Sequence, residues 1–417
     1  MKAKAAFELP LGIRDYLDKA PDLSRSIATK ALVNLFQHAC IDRPDGSVFV
    51  QTGDIPAMWI RDSSWQVWPL IRFADDPFIL TLIEGVIKAQ VQFLTIDPYA
   101  NAFNIEPNGR CWHKDFEDQS LWVFERKWEL DSVTGFLQLS LDLADKIESS
   151  SHLDTQWWSL ADALVDVLAA ETEHDPKSYN FWREGAPDHD HLSNGGRGAE
   201  FANCGLIWSA FRPSDDACVL PFNIPANLHA VEVLKRLAER ANGLRPSLAS
   251  RSLALASKIE RGIEQFAIVR LEQHDILAYE VDGLGNHVLM DDANYPSLLS
   301  IPMFTAQNPG AYSATRQFAL SSSNPWFFSG TKLSGIGSPH TGQGRVWPLA
   351  VAVQGITAET ASEAIECETA IAQSVTADLH IHESVDKDNA ENFTREWFNW
   401  AEMTFVELVF RNVERWF

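Results

Sequence analysis

Between Gln51 and Gln66 the chain reads Gln-Thr-Gly-Asp-Ile-Pro-Ala-Met-Trp-Ile-Arg-Asp-Ser-Ser-Trp-Gln. A β-like run over residues 48–51 ends here, and Gly53 and Pro56 indicate a turn. Burying polar side chains behind such a turn is costly unless each has a partner. Carboxylates, an arginine and indole rings on one turn suit a ligand dense in hydroxyls, although a buried Asp–Arg pair that only holds the turn is the alternative. The candidate ligand-binding residues in this motif are Asp54, Trp59, Arg61 and Asp62.

Helical periodicity dominates on both sides of this motif. Apolar residues recur at helix spacing after a cap-like Asp76-Pro77 step, and similar patterns predict helices over roughly 130–147, 156–170, 225–241, 247–270, 346–356, 358–377 and 394–415. Strand signals are few and short, such as 276–281. Because many stretches are apolar on more than one face, we expect two layers of helices with the chemistry on connecting loops. A helical toroid fits this pattern, and two or more helical domains fit it nearly as well.

Composition restricts the partners. The 417 residues carry a net charge of −23, which disfavours nucleic acid and an anionic membrane surface. No apolar run is expected to reach the roughly 20 residues that span a bilayer, and the first ten residues lack the apolar centre of a signal peptide. Five scattered cysteines without a CxxC pair indicate neither a zinc cluster nor a disulfide framework. We therefore expect a cytoplasmic protein with no membrane or nucleic-acid partner.

Four more clusters combine carboxylates, amides and aromatic residues: 103–109 with 112–115, 124–132, 211–217, and 382–384 with 392–400. Each has a simpler interpretation, respectively a polar surface turn, an exposed charged helix face, a helix N-cap and a solvated loop. Adjacent carboxylates at Asp215 and Asp216 repel each other, so one pKa should rise if both are buried.

Other chemistries find little support. The sequence has no Gly-x-Ser-x-Gly elbow and no phosphate-binding Gly-x-x-x-x-Gly-Lys-Ser/Thr loop. The runs 188–191 (Asp-His-Asp-His) and 291–292 (Asp-Asp) each suggest a metal in isolation, but neither has a convincing ligand set, and a hydrogen-bonding role suits the second better. Two carboxylates with tryptophan platforms remain, and this combination is typical of glycoside hydrolysis.

Seven runs of the sequence resemble runs of glycoside hydrolase family 125. They occur in the order of that family, and the resemblance covers the chain from about residue 25 to its end. They lie at 52–63, 103–108, 125–132, 211–216, 291–300, 335–341 and 382–384. The resemblance implies an all-α (α/α)6 barrel with long active-site loops, formed by residues 1–417 as one catalytic domain. It also implies an exo-acting, inverting α-1,6-mannosidase that needs no metal or other cofactor and acts on an α-mannoside oligosaccharide or an N-glycan fragment.

The same resemblance assigns the catalytic pair. The general acid falls in the Ser-Asp-Asp step, where Asp215 is preferred and Asp216 is the alternative, and the general base falls on Glu383. In the inverting scheme the two carboxyls lie roughly 6.5–9.5 Å apart, and the acid needs a raised pKa to stay protonated near neutral pH. Further pocket residues are expected to be Asp54, Trp59, Arg61, Asp62, Glu106, Asn108, Lys127, Glu129, Asp216, Asp292, Asn294, His340, Arg395 and Trp397.

Two departures from the family pattern lie close to the expected base. Val385 stands where an aromatic residue is expected, and the run 400–404 differs from the small polar run of the family. They leave the sugar and leaving-group preference open. The alternatives are another (α/α)6 sugar-active enzyme, such as a glucosidase, rhamnosidase or epimerase, or an inactive sugar-binding homologue. An epimerase would need paired histidines, whereas the clusters here are mostly acidic.

Overall fold

The computed structural model describes residues 7–147, 150–175, 177–305 and 308–416, and these residues form mainly helices. The α-helices are α1 (Leu11–Leu17), α2 (Asp22–Asn34), α3 (Ile60–Val67), α4 (Pro77–Ile96), α5 (Leu130–Lys146), α6 (Thr155–Glu171), α7 (Ser193–Gly196), α8 (Ile224–Ala241), α9 (Pro246–Phe266), α10 (Tyr312–Ala319), α11 (Pro348–Ile356), α12 (Ala361–Ser374) and α13 (Asn399–Trp416). A π-helix covers Leu35–Ala39, and short 3-10 helices cover Trp68–Phe73, Asp188–Asp190 and Ile301–Met303.

The strands are short and lie in small antiparallel sheets. They are β1 (Cys40–Asp42), β2 (Val48–Val50), β3 (Met58–Trp59), β4 (Ala102–Phe103), β5 (Val123–Glu125), β6 (Phe222–Asn223), β7 (Ile268–Leu271), β8 (His274–Leu277), β9 (Glu280–Val281), β10 (His287–Val288), β11 (Phe327–Phe328), β12 (Gly335–Ile336), β13 (Arg345–Val346), β14 (Ser384–Asp386) and β15 (Asn389–Thr394). The three-stranded sheets have the orders β3-β4-β5, β10-β9-β6 and β13-β14-β15.

The helices form two concentric layers, as an (α/α)6 barrel requires. In the inner layer α13 packs on α3, α3 on α5, and α5 on α8, while α11 packs back on α13. The 3-10 helix Ile301–Met303 packs on α8 and takes the inner position between α8 and α11 in chain order. Around them α2, α4, α6, α9 and α12 pack on inner helices or on one another. The predicted fold class is confirmed.

Burial separates the two layers. All eight residues of α3 are buried, including its polar ones, because neighbours surround this helix on every side. The outer helix α9 instead buries one apolar stripe and exposes the rest, as expected for a helix with solvent on one face.

Short strands lead directly into the inner helices. Strand β3 precedes α3, β6 precedes α8, and β13 precedes α11 with Trp347 between them. The N-terminal ends of the inner helices are therefore joined to sheets that fix the loops beside them. Because a helix N-terminus presents unpaired N–H groups, this end of the barrel is suited to bind oxygen-rich ligands.

Most predicted helices are confirmed within a few residues, with three informative exceptions. The helix predicted over 394–415 begins only at Asn399, because residues 389–394 form β15. The helix predicted over 247–270 ends at Phe266, and the apolar pattern continues into the hairpin of β7 and β8. The Ser-Asp-Asp step does not cap a helix, because α8 begins later and is capped by Asn223. The cap at Asp76 is confirmed, since its carboxylate accepts a hydrogen bond from the Phe78 amide.

One expectation about apolar runs is wrong. Helix α4 has 20 residues with a mean hydropathy of 1.5, so its length and composition would allow it to cross a membrane. Its apolar residues pack inside the protein, where 61% of that window is buried, and core helices commonly meet the same criterion. All five cysteines are free, which agrees with the absence of a disulfide framework.

Candidate active site

A cavity of about 490 Å³ opens at the N-terminal ends of the inner helices. Residues before or in the first turns of α3, α11 and α13 reach it, together with side chains from the loops between them. Its walls are Thr52, Ile55, Trp59, Arg61, Asp62, Trp112, His113, Glu125, Lys127, Arg183, Asp190, Pro213, Ser214, Asp215, Asn294, His340, Trp347, Glu383, Arg395, Phe398 and Trp400. The two predicted catalytic carboxylates, Asp215 and Glu383, therefore line the same cavity.

Asp215 is held on a tight turn with a left-handed backbone, φ +64°. Its carboxylate accepts hydrogen bonds from Arg61 Nη2 at 2.8 Å and from Trp59 Nε1 at 3.1 Å. Its carbonyl oxygen accepts a hydrogen bond from Lys127 Nζ at 2.8 Å. A non-glycine residue in this conformation is strained and persists only where its surroundings hold it, as these contacts do.

Arg61 is the centre of a cluster of carboxylates below the cavity. Its Nη1 lies 2.7 Å from Glu129 and 3.2 Å from Asp131, its Nη2 lies 2.8 Å from Asp215, and its Nε lies 3.3 Å from Asp62. Apart from Asp215, whose side chain is 22% exposed, all members are at most 5% exposed. One buried cation thus faces four acidic groups.

Protonation is distributed unequally within this cluster. Burial raises the pKa of Glu129 well above its usual range despite the attraction of Arg61, and it raises the pKa of Asp131 to about 6. The pKa of Asp62 is also raised by burial, against the opposing charge of Arg61.

Asp215 itself contradicts the expected raised pKa of the general acid. Burial raises its pKa, but the charge of Arg61, a hydrogen bond with Glu129 and the charge of Lys127 together hold it below its usual range. Within one cluster the pKa of Glu129 is thus raised and that of Asp215 is lowered.

Asp216 faces away from the cavity. It is buried and accepts a hydrogen bond from His340 Nδ1 at 2.8 Å. Burial lowers the pKa of His340, but the hydrogen bond to Asp216 and the charges of Asp216, Glu383 and Asp215 raise it to about 9. Of the two adjacent carboxylates, Asp215 is the one that reaches the cavity, and His340 is a cation at neutral pH.

Glu383 lines another part of the cavity wall, beside cations. Arg395 Nη1 is 3.7 Å from its carboxylate, and Arg395 in turn donates from Nε to Asp54 at 2.9 Å. Arg395 has a left-handed backbone, φ +50°. Asp54 is thus a partner of Arg395 and does not line the cavity itself.

The loop that carries Arg395 is held against the 51–66 motif. The Asp54 amide donates to the Trp397 carbonyl oxygen, and Gly53, with φ +85°, packs so closely on that carbonyl that a Cβ atom would clash. Glycine is needed at this position for both reasons. Two segments far apart in the chain thereby form one wall.

Asp291 and Asp292 have structural roles, as the hydrogen-bonding interpretation of this run expects, and Asp292, which was also predicted as a pocket residue, does not line the cavity. The Asp291 carboxylate accepts hydrogen bonds from the amides of Leu298 and Leu299, while burial raises its pKa to about 7. Asp292 accepts from the amide and side chain of Asn294, which lines the cavity. Asp292 therefore orients a cavity residue from behind.

Ion pairs form a third part of the wall, of which only Lys127 was predicted as a pocket residue. Asp190, from the run considered as a metal site, bonds to Lys127 at 2.7 Å and Arg183 at 2.9 Å, and Arg183 also bonds to Glu125 at 2.9 Å. Across the described ranges, no group of three or more His, Cys, Asp or Glu side chains is arranged to hold a metal ion. Alternating charges near Trp128 were the signal available for Lys127 and Glu125, whereas Arg183 had none.

Several predicted residues lie outside the cavity lining. Glu106 and Asn108 are exposed on the 104–110 loop, and Glu129 is buried beneath Arg61. Trp397 was expected under the sugar, but it donates from Nε1 to Glu402 at 3.0 Å and does not reach the cavity. The aromatic lining beyond Trp59 is instead Trp112, Trp347, Phe398 and Trp400.

The departures from the family pattern lie mostly behind the wall. Val385 is buried in β14 and pairs with Val346 and Phe393, and it does not contact the cavity. Within the 400–404 run only Trp400 lines the cavity, while Glu402 bonds to His380 at 2.6 Å below it. The altered positions thus support the loop that carries the cavity residues.

Known proteins resemble this chain over nearly its whole length. The family model described as metal-independent alpha-mannosidase (GH125) matches residues 21–410. A Streptococcus pneumoniae structure, described as a metal-independent alpha mannosidase in a non-productive substrate complex with alpha-1,6-mannobiose, superimposes with a TM-score of 0.93. The two are 35% identical, and the match covers 97% of this chain and 99% of that one.

One further relative and one structural neighbour extend the comparison. The meiotically up-regulated gene 157 protein of Schizosaccharomyces pombe is 38% identical over 399 residues, which cover 90% of this chain and 78% of the relative. A bacterial glucoamylase complexed with acarbose shares only 13% identity, with a TM-score of 0.60 over 96% of this chain and 57% of that one. At this identity the glucoamylase shows the shared barrel fold alone.

Proposed function

Because this chain belongs to glycoside hydrolase family 125, the metal-independent α-mannosidases, we propose that it removes terminal α-1,6-linked mannose from the non-reducing end of an oligosaccharide. We further propose that the reaction inverts the anomeric carbon, with Asp215 as general acid and Glu383 as general base. The observation that carries the proposal is that these two carboxylates, from separate parts of the chain, line one cavity.

In the proposed reaction Asp215 gives a proton to the glycosidic oxygen. The bond between that oxygen and C1 breaks, and its electron pair stays on the oxygen of the leaving sugar. A water molecule attacks C1 from the opposite face while Glu383 accepts its proton, so the released mannose has the inverted configuration. Two cations, Arg395 and His340, lie beside Glu383. They suit a carboxylate that has to remain charged until it accepts the proton of the water molecule.

The linkage preference rests on similarity. The Streptococcus pneumoniae relative, whose structure contains alpha-1,6-mannobiose, matches this chain over nearly its whole length. Removal of single terminal residues suits a cavity of about 490 Å³, a volume that can accept the end of a glycan. Arg61 and Asp62 at the start of α3, with Asn294 and Arg395, supply the polar groups that would bind the hydroxyls of the terminal mannose.

Proton NMR of the reaction with α-1,6-mannobiose tests linkage and stereochemistry together. We expect the signal of β-mannose to appear first and to equilibrate later with the α form, and we expect slower release from α-1,2- and α-1,3-linked mannobioses. Early appearance of α-mannose would exclude inversion. Equal turnover of all three linkages would exclude the proposed 1,6 preference.

A further inference from the structure

The buried cluster below Asp215 has more acid groups than its cation can balance. Arg61 contacts Asp62, Glu129, Asp131 and Asp215, and the guanidinium side chain is only 3% exposed. Even with Lys127 close to Asp215, four ionised carboxylates around Arg61 would leave an uncompensated negative charge, and three of the four side chains are at most 5% exposed, so this state is costly. At least one of the four must therefore keep its proton.

Two of the four carboxyls are positioned to share that proton. Glu129 and Asp215 each bind one terminal nitrogen of Arg61, at 2.7 Å and 2.8 Å, so the two carboxyls meet at the same guanidinium. The interaction between them raises the pKa of Glu129 and lowers that of Asp215. Two carboxyl groups can form a hydrogen bond only if one of them is protonated, because an ionised carboxylate has no donor, so a bond between this pair requires one proton for two groups.

We propose that Glu129 is a positioning residue that stores the proton of the general acid and passes it to Asp215 when substrate binds. The proposal deepens the proposed function and rests on the role of Asp215 given there. It concerns how an acid in contact with an arginine obtains its proton.

The proton transfer balances within the known reaction. Before the reaction the proton is on Glu129 and Asp215 is ionised. The proton moves across the hydrogen bond to Asp215 and from there to the glycosidic oxygen, which leaves both carboxyls ionised. Glu383 has meanwhile gained a proton from the attacking water, and return of that proton to the pair through solvent completes the cycle.

Glu129 is held rigidly enough for this task. Its carboxyl accepts hydrogen bonds from Asn101 Nδ2 at 3.0 Å and Ser132 Oγ at 3.1 Å, in addition to Arg61. It stands immediately before α5, where the N-terminus of the helix favours negative charge once the proton has left. The charged and titratable groups that interact with it include Arg61, Asp131, Asp215 and Tyr179, and Glu125 shares the Asn101 side-chain amide with it.

The substitution Glu129→Gln separates proton storage from structure. Glutamine has the same shape and retains an oxygen for Arg61, but it has no proton to give and its amide would keep Asp215 ionised. We expect kcat for α-1,6-mannobiose at pH 7 to fall at least about tenfold and the alkaline limb of kcat/KM to move down by about one pH unit or more. An α-mannoside with a 2,4-dinitrophenyl leaving group needs no acid, so its turnover should stay within about threefold of wild type.

Two further variants provide the controls. Glu129→Asp keeps an ionisable group in a poorly fitting side chain, so the proposal requires its alkaline limb to stay closer to wild type than that of Glu129→Gln. If Glu129 had a purely structural role, the alkaline limb of Glu129→Gln would instead stay closer to wild type than that of Glu129→Asp. Glu368→Gln removes another buried carboxyl, that of Glu368 on α12, which accepts a hydrogen bond from Asn412 Nδ2 at 2.6 Å. This variant should leave the alkaline limb of kcat/KM and the turnover of both substrates unchanged.

An unchanged alkaline limb in Glu129→Gln, or equal losses on both substrates, would overturn the proposal. If that variant does not fold, infrared difference spectra of the wild-type protein with a thio-linked α-1,6-dimannoside decide instead. A protonated carboxyl band that shifts on binding at neutral pH supports the shared proton, and its absence refutes it. Wild-type turnover in Asp215→Asn would remove the proposed function itself, whereas an inactive Asp215→Asn with a normal Glu129→Gln removes only this inference.

Discussion

The two carboxylate walls of the cavity differ in the charge that surrounds them. Around Asp215, one arginine faces four acidic groups, and burial raises the pKa of Glu129, Asp131 and Asp62. Around Glu383, two cations, Arg395 and His340, are shared among three acidic groups, because Arg395 also binds Asp54 and His340 binds Asp216. A single cation for four acidic groups favours bound protons more than two cations for three do, so the same functional group can serve as acid on one wall and base on the other.

The largest effect expected from this comparison concerns the catalytic pair. Both Asp215→Asn and Glu383→Gln should lower kcat for α-1,6-mannobiose by about 10²–10⁴-fold or more, because each removes a proton-transfer group. With a 2,4-dinitrophenyl leaving group, only Asp215→Asn should recover, since departure of that group needs no proton. Steady-state kinetics on the two substrates measure the difference. Recovery of both variants, or of neither, would mean that the two walls do not have different roles.

The second largest effect is expected from replacing Arg61, the cation of the Asp215 wall. Arg61→Leu leaves four buried acid groups without their cation and should cost about 3–5 kcal/mol of the free energy of unfolding, or prevent folding altogether. The control is Arg251→Leu, because Arg251 pairs with Asp162 and Asp166 at the surface and is 36% exposed. Loss of these surface ion pairs should lower the free energy of unfolding by at most about 1 kcal/mol. Denaturant unfolding curves at pH 7 compare the two, and similar costs would show that the Arg61 cluster is not a buried network.

The charge of His340, which lies near Glu383, should make the stability of the folded protein depend on pH. The pKa of His340 is raised to about 9 in the folded protein, whereas an unfolded histidine titrates near 6.5. Its charged form therefore stabilises the fold fully below about pH 6.5, and this stabilisation is lost as pH rises through about 9. The difference in Tm between wild type and His340→Gln should be largest at pH 6 and smallest at pH 10. A difference that grows with pH would show that His340 is neutral in the folded protein.

The sequence predicts one half of this site better than the other. Arg61, Asp215 and Glu383 lie in motifs with distinctive composition, so their presence at a sugar site could be expected. The partners of Arg61 could not, because Glu129 and Asp215 are 68 and 154 residues away along the chain and only the barrel brings them together. The left-handed backbone at Asp215, which turns its side chain rather than that of Asp216 into the cavity, leaves no mark in composition either.

In the fold, too, features set by local burial could be predicted, whereas features set by tertiary contacts could not. Amphipathic and fully apolar periods located most helices within a few residues because local burial determines them. The end of α9 was misplaced because β7 continues its apolar pattern, and tertiary pairing with β8 decides the strand. Likewise, Trp397 and Trp400 look alike in sequence, yet only the direction of each side chain at the start of α13 decides that Trp400 lines the cavity.

The smallest expected effect concerns the rim, which belongs to neither wall. Trp112 lines the cavity and is 58% exposed, with its ring edge-on to Phe124 at 5.4 Å, so it can contact the leaving sugar. Trp112→Ala should raise KM for α-1,6-mannobiose about three- to tenfold, because one aromatic contact is worth about 0.5–1.5 kcal/mol, and should leave kcat unchanged. Trp182→Ala is a matched control, since Trp182 is 52% exposed but packs on His191 away from the cavity lining. A kcat effect at Trp112, or an equal KM effect at Trp182, would contradict a contact made only with the leaving sugar.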